Sequence, residues 1–216
     1  MAVVIFGAGG HSKVVADAAL EAGIAVKGFV DDRVAIDLFG NPVLFTIEDF
    51  FTDLRIANNK SEAHAIDFIV AIGDNARRKQ IFDEAIELGL HPVTVEHPSA
   101  HVSAEATVED GTYIGAEVVI NPNAYVGENA IINTRATVEH DCAVGAHAFV
   151  APHALMCGES RLGEGALLGA HATLGVGLSV GEWTRIGEGA VVKEDIAAHV
   201  TAVGVPAKVC NESSKQ

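Results

Sequence analysis

The C-terminal half of the chain places an aliphatic residue or Met at every sixth position, and this period limits the possible folds more than any other feature. The series runs through sixteen successive hexads without a break. Because 49% of the chain is apolar, sixteen chance matches have a probability of about one in tens of thousands, so the pattern is a true repeat. The positions are Val102, Val108, Ile114, Ile120, Val126, Ile132, Val138, Val144, Val150, Met156, Leu162, Leu168, Leu174, Val180, Ile186 and Val192.

A hexapeptide repeat predicts a parallel β-helix. Each hexad supplies one flat side and a tight corner, and three sides close a coil of eighteen residues. The aliphatic residue fills the axis, together with a small or apolar residue four positions later, such as Ala124 or Cys142. Successive coils stack at about 4.8 Å, the spacing of hydrogen-bonded strands, and each contacts only its neighbours.

The first 97 residues alternate short apolar runs with helical segments. Ala2–Phe6 is a short apolar run that is followed by Gly-Ala-Gly-Gly, and such a run is typical of a buried parallel strand. A helix is predicted from an N-cap at Ser12 to Gly23. Further strands are predicted over Val26–Val30, Ile66–Ile72 and Val93–Val95, with a helix over Ala76–Leu88. We therefore predict an α/β domain over 1–97, with a small, mainly parallel, Rossmann-like sheet, and a β-helix domain with a C-terminal extension over 98–216.

The charge of the chain restricts its partners. A formal net charge of −15 argues against binding to nucleic acid or to an anionic membrane, both of which require a basic surface. A phosphorylated ligand stays possible, because a few local cations and backbone N–H groups can hold one. The three cysteines form no CxxC pair, and the N-terminus has no basic segment or long apolar run. We expect a cytoplasmic protein.

The hexad register places one histidine beside one glycine. His140 and Gly158 are eighteen residues apart, so they stack on adjacent coils at a corner of the prism. An imidazole next to a backbone N–H without a side chain combines a proton acceptor with a potential oxyanion donor. The same geometry is also compatible with a surface histidine and a glycine that only eases the turn.

Three segments carry a family resemblance: 7–11 (GAGGH), 133–142 (NTRATVEHDC) and 204–208 (GVPAK). Together they resemble the sialic acid O-acetyltransferase-like family, which includes UDP-N-acetylbacillosamine and GDP-perosamine N-acetyltransferases. The resemblance implies a left-handed β-helix, a known exception to the usual right-handed crossover. It also implies a homotrimer in which the N-terminal domain binds a nucleotide sugar and acetyl-CoA lies in a groove between subunits.

The resemblance assigns catalysis to His140 as general base, to Asp141 as the carboxylate that orients it, and to Gly158 as the oxyanion donor. An amine that attacks a thioester must lose a proton, and a histidine with a pKa near neutrality is a well-matched acceptor. Cys142 falls at an inward position, where a thiol packs as a small hydrophobe. We therefore expect direct transfer without an acetyl-enzyme.

The resemblance also implies the ligand contacts. The GAGGH loop offers close backbone approach at a helix N-terminus, suited to a pyrophosphate, but it is an incomplete NAD fingerprint because Ser12 replaces the third glycine. The string Asp31-Asp32-Arg33 favours a UDP-linked over a GDP-linked sugar. The nucleotide-sugar contacts are Gly9, Gly10, His11, Asp31, Asp32 and Gly73. The acetyl-CoA contacts are Gly158 and Ala170, with Lys208 and Lys193 as candidate cations for its phosphates. Phe149 stands where the family has a histidine.

These features predict an acetyl-CoA-dependent N-acetyltransferase that acts on the 4-amino group of a nucleotide-linked amino-dideoxy sugar and needs no metal. O-acetylation of a sugar hydroxyl is an alternative, because the same base would serve. A different alternative is a zinc enzyme like γ-carbonic anhydrases, since His153 and His171 stack and His147 lies one hexad earlier. An NAD-dependent oxidoreductase or a non-catalytic nucleotide-binding module would use only the N-terminal loop.

Overall fold

The N-terminal part of the protein is a five-stranded parallel sheet with helices on its faces. The computed structural model describes residues 1–32, 43–57 and 66–210. The strands are β1 Ala2–Phe6, β2 Ala25–Val30, β3 Val43–Phe45, β4 Asp67–Val70 and β5 His91–Pro92. The helices are α1 Gly10–Glu21, α2 Ile47–Ala57 and α3 Asn75–Glu87. The strand order is β3-β2-β1-β4-β5, so the direction of winding reverses between β1 and β4. Ligands of such sheets bind in the crevice at the carboxyl ends of these two strands.

The sequence predicted this sheet with three differences. The N-cap of α1 is Gly9, because the Ser12 hydroxyl donates to the Ala71 carbonyl after β4 and lies inside the helix. The predicted strand Val93–Val95 is displaced: His91–Pro92 completes the sheet, at an edge where the missing N–H of Pro92 is tolerated, and Val95 begins the first strand of the next sheet. The sequence reading also missed β3 and α2, which has a strongly amphipathic pattern.

The rest of the chain is a triangular prism of very short parallel strands. Most strands pair with the one eighteen residues later, as in Thr137 with Leu155, and the last described strand, Lys208–Val209, pairs in the antiparallel direction. Wall 1 contains β7, β10, β13, β16, β19 and β22; wall 2 contains β8, β11, β14, β17 and β20; wall 3 contains β6, β9, β12, β15, β18, β21, β23 and β24. The bounds are β6 Val95–Glu96, β7 His101–Val102, β8 Thr107–Val108, β9 Tyr113–Ile114, β10 Val119–Ile120, β11 Tyr125–Val126, β12 Ile131–Ile132, β13 Thr137–Val138, β14 Ala143–Val144, β15 Phe149–Val150, β16 Leu155–Met156, β17 Arg161–Leu162, β18 Leu167–Leu168, β19 Thr173–Leu174, β20 Ser179–Val180, β21 Arg185–Ile186, β22 Val191–Val192, β23 Thr201–Val203 and β24 Lys208–Val209.

The prism core confirms the hexad prediction. From Ile114 to Val192 the predicted aliphatic positions are at most 2% exposed, and Cys142 fills the small inward position with 1% exposure. Together with the structural similarity reported below, this core establishes a left-handed β-helix behind an α/β domain. The division between residues 97 and 98 stays a proposal, and the hydrogen bonds from β6 to β9 cross it.

A buried arginine joins the two parts of the molecule. The side chain of Arg78, on α3, is fully buried and donates to the carbonyls of Asn129, His147 and Ala148 in the prism, at 3.0, 2.5 and 3.3 Å. It also donates to the Ile72 carbonyl and to Asn75 Oδ1. Burial lowers the pKa of Arg78 to about 9.

Among the described residues, no helix is both long and apolar enough to cross a membrane.

Candidate active site

His140 lies at the corner where wall 1 turns into wall 2, with its ring against Gly158 on the next coil. A Cβ built on Gly158 would lie 2.7 Å from both Cε1 and Nε2 of the imidazole. Any larger residue at this position would push the ring away, so the site requires glycine. The stacking predicted from the eighteen-residue coil is confirmed, whereas the catalytic roles stay a proposal.

Asp141 fixes the orientation of this histidine. Its Oδ2 accepts from His140 Nδ1 at 2.7 Å, and its Oδ1 accepts from Asn123 Nδ2 at 3.1 Å. Asp141 has a φ of 60°, a left-handed conformation that aspartate tolerates better than most residues. Because a carboxylate only accepts, Nδ1 of the neutral ring carries the hydrogen and Nε2 keeps its lone pair. The hydrogen bond raises the pKa of His140 and lowers the pKa of Asp141.

The Gly158 amide supplies the second element of the pair. Gly158 is buried beneath the imidazole, yet its N–H donates to no backbone carbonyl of the described residues. The amides at the same hexad position of other coils, such as Ala146 and Glu164, likewise donate to no backbone carbonyl of the described residues, so the corner geometry itself leaves this N–H available. The His140 side chain itself is 56% exposed. The Nε2 atom of His140 and the N–H of Gly158 therefore lie at the same solvent-exposed corner of the prism.

The predicted nucleotide-sugar residues gather at the carboxyl edge of the α/β sheet. Gly7 has a φ of +108°, and a Cβ there would lie 2.9 Å from the Ala71 carbonyl, so the loop after β1 needs glycine. Asp31, at the end of β2, holds this loop by accepting from the Ala8 amide at 2.6 Å. Gly9 caps α1, and a Cβ on Gly10 would meet no atom within 4 Å, which leaves open space in front of the helix.

Asp32 and His11 have structural partners in addition to their predicted roles. Asp32 accepts from the Ile47 amide at 3.0 Å at the start of α2, and pairs with Arg77 at 3.4 Å. The His11 ring packs edge-on against Tyr113 of the prism, with 5.3 Å between centroids. Burial, with a smaller effect of Arg78, lowers the pKa of His11 to about 4. His11 is therefore neutral near pH 7 and lies between the two domains.

A cavity of about 330 Å³ opens between the turn after β4 and wall 3. It is called the interdomain cavity below. Gly73, a predicted nucleotide-sugar contact, belongs to its lining, and the sequence pattern did not indicate Trp183 or Arg185 as lining residues. The full lining is Gly73, Asp74, Asn75, Ala76, Phe149, Gly165, Leu167, Trp183 and Arg185.

The predicted acetyl-CoA residues do not all meet in one chain. Ala170 lies at the corner between walls 3 and 1, where its carbonyl accepts from Gly189 at 2.8 Å. Lys208 is ion-paired with Glu194. The corner that carries His140 lies opposite wall 3, so one chain separates its base from its own interdomain cavity.

The histidines of the zinc alternative have other surroundings. His147 is buried next to α3, its Nδ1 lies 2.9 Å from Asn129 Nδ2, and burial lowers its pKa to about 4. The rings of His153 and His171 stack in parallel with 4.7 Å between centroids. Within ranges 1–32, 43–57 and 66–210, no group of three or more metal-binding side chains converges.

Comparisons with known proteins agree with this architecture. A family model, the PglD N-terminal domain, matches residues 2–85. A variant of perosamine N-acetyltransferase from Caulobacter crescentus, solved with CoA and GDP-perosamine, is 35% identical with a TM-score of 0.90 over 98% of each chain. The acetyltransferase domain of PglB from Neisseria gonorrhoeae, solved with acetyl coenzyme A, is 34% identical with a TM-score of 0.88, over 97% of this chain and 98% of that one. WeeI from Acinetobacter baumannii shares the fold, with 23% identity and a TM-score of 0.83 over 97% and 100% of the two chains. The search of curated proteins gave no match.

Proposed function

Because this chain belongs to the same family of sugar acetyltransferases as the Caulobacter and Neisseria proteins, we propose that it acetylates the 4-amino group of a nucleotide-linked amino-dideoxy sugar. The enzyme is an acetyltransferase, and its co-substrate is acetyl-CoA. The observation that carries the proposal is the imidazole of His140 held by Asp141 against the unpaired Gly158 amide. Asp31-Asp32-Arg33 favours a UDP-linked acceptor, although Arg33 lies outside the described residues and the Caulobacter relative was solved with GDP-perosamine.

Each residue of the pair has a defined task in this reaction. His140 Nε2 accepts the proton that the amine loses as its nitrogen bonds to the acetyl carbon. Gly158 N–H donates to the acetyl oxygen as negative charge develops there. Asp141 keeps Nδ1–H in place and stabilises the imidazolium. The carbon–sulfur bond then breaks, and His140 returns the proton to the departing thiolate of CoA.

The complete site requires a second copy of the chain, because His140 and the interdomain cavity lie on opposite sides of one prism. We propose that three chains associate through wall 1, whose outward residues, apart from the exposed His101 on the first coil, are uncharged and half-buried: Val119, Thr137, Leu155, Thr173 and Val191. A three-fold axis parallel to the prism keeps equivalent residues at equal height. His140 follows β13, and Phe149 begins β15 on the same coil, so His140 of one subunit reaches the level of its neighbour's cavity.

Leu155→Asp is expected to separate the subunits and abolish activity, because it places a charge on the apolar wall 1. Size-exclusion chromatography with light scattering should give three times the chain mass for the wild type and a single chain for the variant. Tyr125→Asp is the matched control, since Tyr125 is an exposed apolar residue on wall 2 and its variant should stay trimeric and active. A monomeric L155D with full activity would show that one chain suffices.

The pH dependence of the reaction tests the pair formed by His140 and Asp141. The base must be unprotonated, so kcat/KM rises with pH and levels off above the pKa of His140. The hydrogen bond from His140 to Asp141 raises that pKa, so Asp141→Asn lowers it. The inflection should therefore move to lower pH, and the plateau should fall because the ring loses its orientation. An inflection at the wild-type pH in D141N would mean that another group titrates.

A panel of UDP- and GDP-linked 4-amino-4,6-dideoxy sugars, assayed for thiol release from acetyl-CoA, tests the function directly. We expect acetylation of at least one amine, with the N-acetyl product identified by mass spectrometry and NMR. Transfer only to hydroxyl acceptors would instead support the O-acetyltransferase. Bound zinc in elemental analysis, with activity lost on chelation, would support the metal enzyme.

A further inference from the structure

The interdomain cavity contains three groups that the proposed transfer does not use: an arginine, a tryptophan and a carboxylate. Arg185, Trp183 and Asp74 all line it, and they come from both parts of the molecule. Its volume of about 330 Å³ lies in the range of small-molecule sites. In the proposed trimer it lies at the level of the neighbour's His140, so a bound ligand would lie near the proposed base.

Arg185 is the one cation among the described residues that line the cavity. Several other described cations are neutralised in ion pairs, among them Arg77 with Asp32, Arg135 with Glu117 and Lys208 with Glu194. Arg185 is exposed and forms no ion pair with any residue that the structure describes. In a chain of net charge −15, an uncompensated guanidinium beside a cavity is a local site for an anion. Its fork of N–H donors matches phosphate geometry.

Trp183 is held in a fixed position by a glycine, as His140 is. A Cβ on Gly165 would lie 2.5 Å from three carbons of the indole, so the ring lies flat on Gly165 of the preceding coil. Trp183 has a φ of 56°, the left-handed conformation that the hexad corner also gives to residues such as His147 and His171. The result is a rigid aromatic wall next to Arg185.

The turn before α3 completes the cavity. Asn75 bridges the two domains, because its amide donates to the Gly165 carbonyl at 2.9 Å and its oxygen accepts from Arg78 at 2.8 Å. Asp74 caps α3 through Oδ1, which accepts from the Arg77 amide at 2.8 Å. Its Oδ2 makes no hydrogen bond within the described part of the chain. One carboxylate oxygen is therefore available to accept a hydrogen bond from a hydroxyl group.

We propose that the interdomain cavity binds a phosphorylated sugar unit, with the phosphate on Arg185, the sugar face against Trp183 and a hydroxyl on Asp74. This proposal rests on the proposed function, because each substrate carries such a unit. In CoA it is the 3′-phosphoribose, and in the nucleotide sugar it is the hexosyl phosphate. Both units are sugars that carry a phosphate, and binding experiments with separate probes distinguish CoA from the nucleotide sugar as the source.

The single tryptophan of the chain gives a direct reporter. Tryptophan emission of the intact protein is titrated with CoA, 3′-dephospho-CoA, UDP-glucose and GDP-mannose, with free N-acetyltryptophanamide as the control for absorption by the base. We expect the emission to change on binding, since a ligand in the cavity contacts the indole. If calorimetry detects binding of these ligands while the emission stays constant, they occupy another site and the proposal is wrong.

Arg185→Gln should weaken binding of the phosphorylated unit about 10- to 100-fold, as expected for loss of a charge-assisted contact. Arg185→Lys should restore part of it. Arg161→Gln is the matched control, because Arg161 occupies the same hexad position on wall 2 and is exposed and outside the cavity. If R185Q weakens CoA but not 3′-dephospho-CoA, the 3′-phosphoribose is the occupant.

Selective weakening of UDP-glucose or GDP-mannose instead assigns the hexosyl phosphate. Equal affinities of R185Q and R161Q for all four probes would overturn the proposal. Binding is measured without turnover, so a wild-type protein that binds through Arg185 yet transfers no acetyl group would contradict only the proposed function. If the wild-type protein is active but R185Q binds all four probes as tightly as R161Q does, only the cavity assignment is contradicted.

Discussion

Replacing His140 with asparagine should lower kcat by about 10²- to 10⁴-fold, the usual contribution of a positioned general base. Asparagine is similar in size but cannot take the proton from the attacking amine. KM values should change little, because Asp141 and Gly158 stay in place. Steady-state kinetics with acetyl-CoA and the best acceptor of the panel measures the effect.

His91 offers a matched control for this substitution. It forms a similar pair with a carboxylate, with Nδ1 at 3.0 Å from Asp67 Oδ1, but on an exposed edge of the α/β sheet. His91→Asn should therefore keep the wild-type kcat. If H140N in an intact oligomer turned over at the wild-type rate, His140 would not be the base and the mechanism would have to be abandoned.

Replacing Arg78 with methionine should lower the free energy of unfolding of the α/β domain by about 3 to 5 kcal/mol. Methionine fills much of the volume but donates nothing. The carbonyl oxygens of Ile72, Asn129 and His147 and the side-chain oxygen of Asn75 would lose their donor, at about 1 kcal/mol or more for each unsatisfied group. The Ala148 carbonyl would keep its hydrogen bond from the Ile131 amide. Urea denaturation followed by far-UV circular dichroism detects the loss, since the three described helices all belong to this domain.

Arg55→Met is the control for Arg78, because Arg55 is an exposed arginine whose ion pair with Glu84 is on the surface. Exposed pairs contribute about 1 kcal/mol or less. The R78M variant should also bind the nucleotide sugar more weakly, since Asn75 loses its support. Similar denaturation midpoints for R78M and R55M would contradict the role of Arg78 as the joint between the domains.

The fold and the pair at the corner were accessible from sequence because they depend on local periodicity. An aliphatic residue at every sixth position is sufficient to define the prism, and the distance of eighteen residues is sufficient to stack His140 on Gly158. The inward position of Cys142 follows from the same register. The family assignment came from short motifs, and the similarity to the Caulobacter and Neisseria structures confirms it.

The interdomain cavity was not accessible in this way, because it is made by residues distant in the chain. Asn75 meets Gly165 across 90 positions, and no local pattern reports such a contact. The one signal was Trp183, a bulky residue at a corner position that elsewhere carries polar residues or glycine. The sequence predicts Ser12 as an N-cap for a similar reason, since only the fold shows the hydrogen bond from its hydroxyl to the Ala71 carbonyl. No local sequence pattern indicates the ion pair of Lys208 with Glu194 either.

The eighteen-residue stacking of His140 on Gly158 restricts how the lengths of such enzymes can change. An insertion of six residues between them would preserve every inward aliphatic position, so the prism would still form. However, everything after the insertion would rotate by one third of a turn, and the ring would face another wall. An insertion of a whole coil would restore the wall but would place another coil between the imidazole and the amide, so no insertion at this point keeps the geometry. A variant can therefore be as well packed as its parent and still have no active centre, and length differences between active relatives should fall outside this segment.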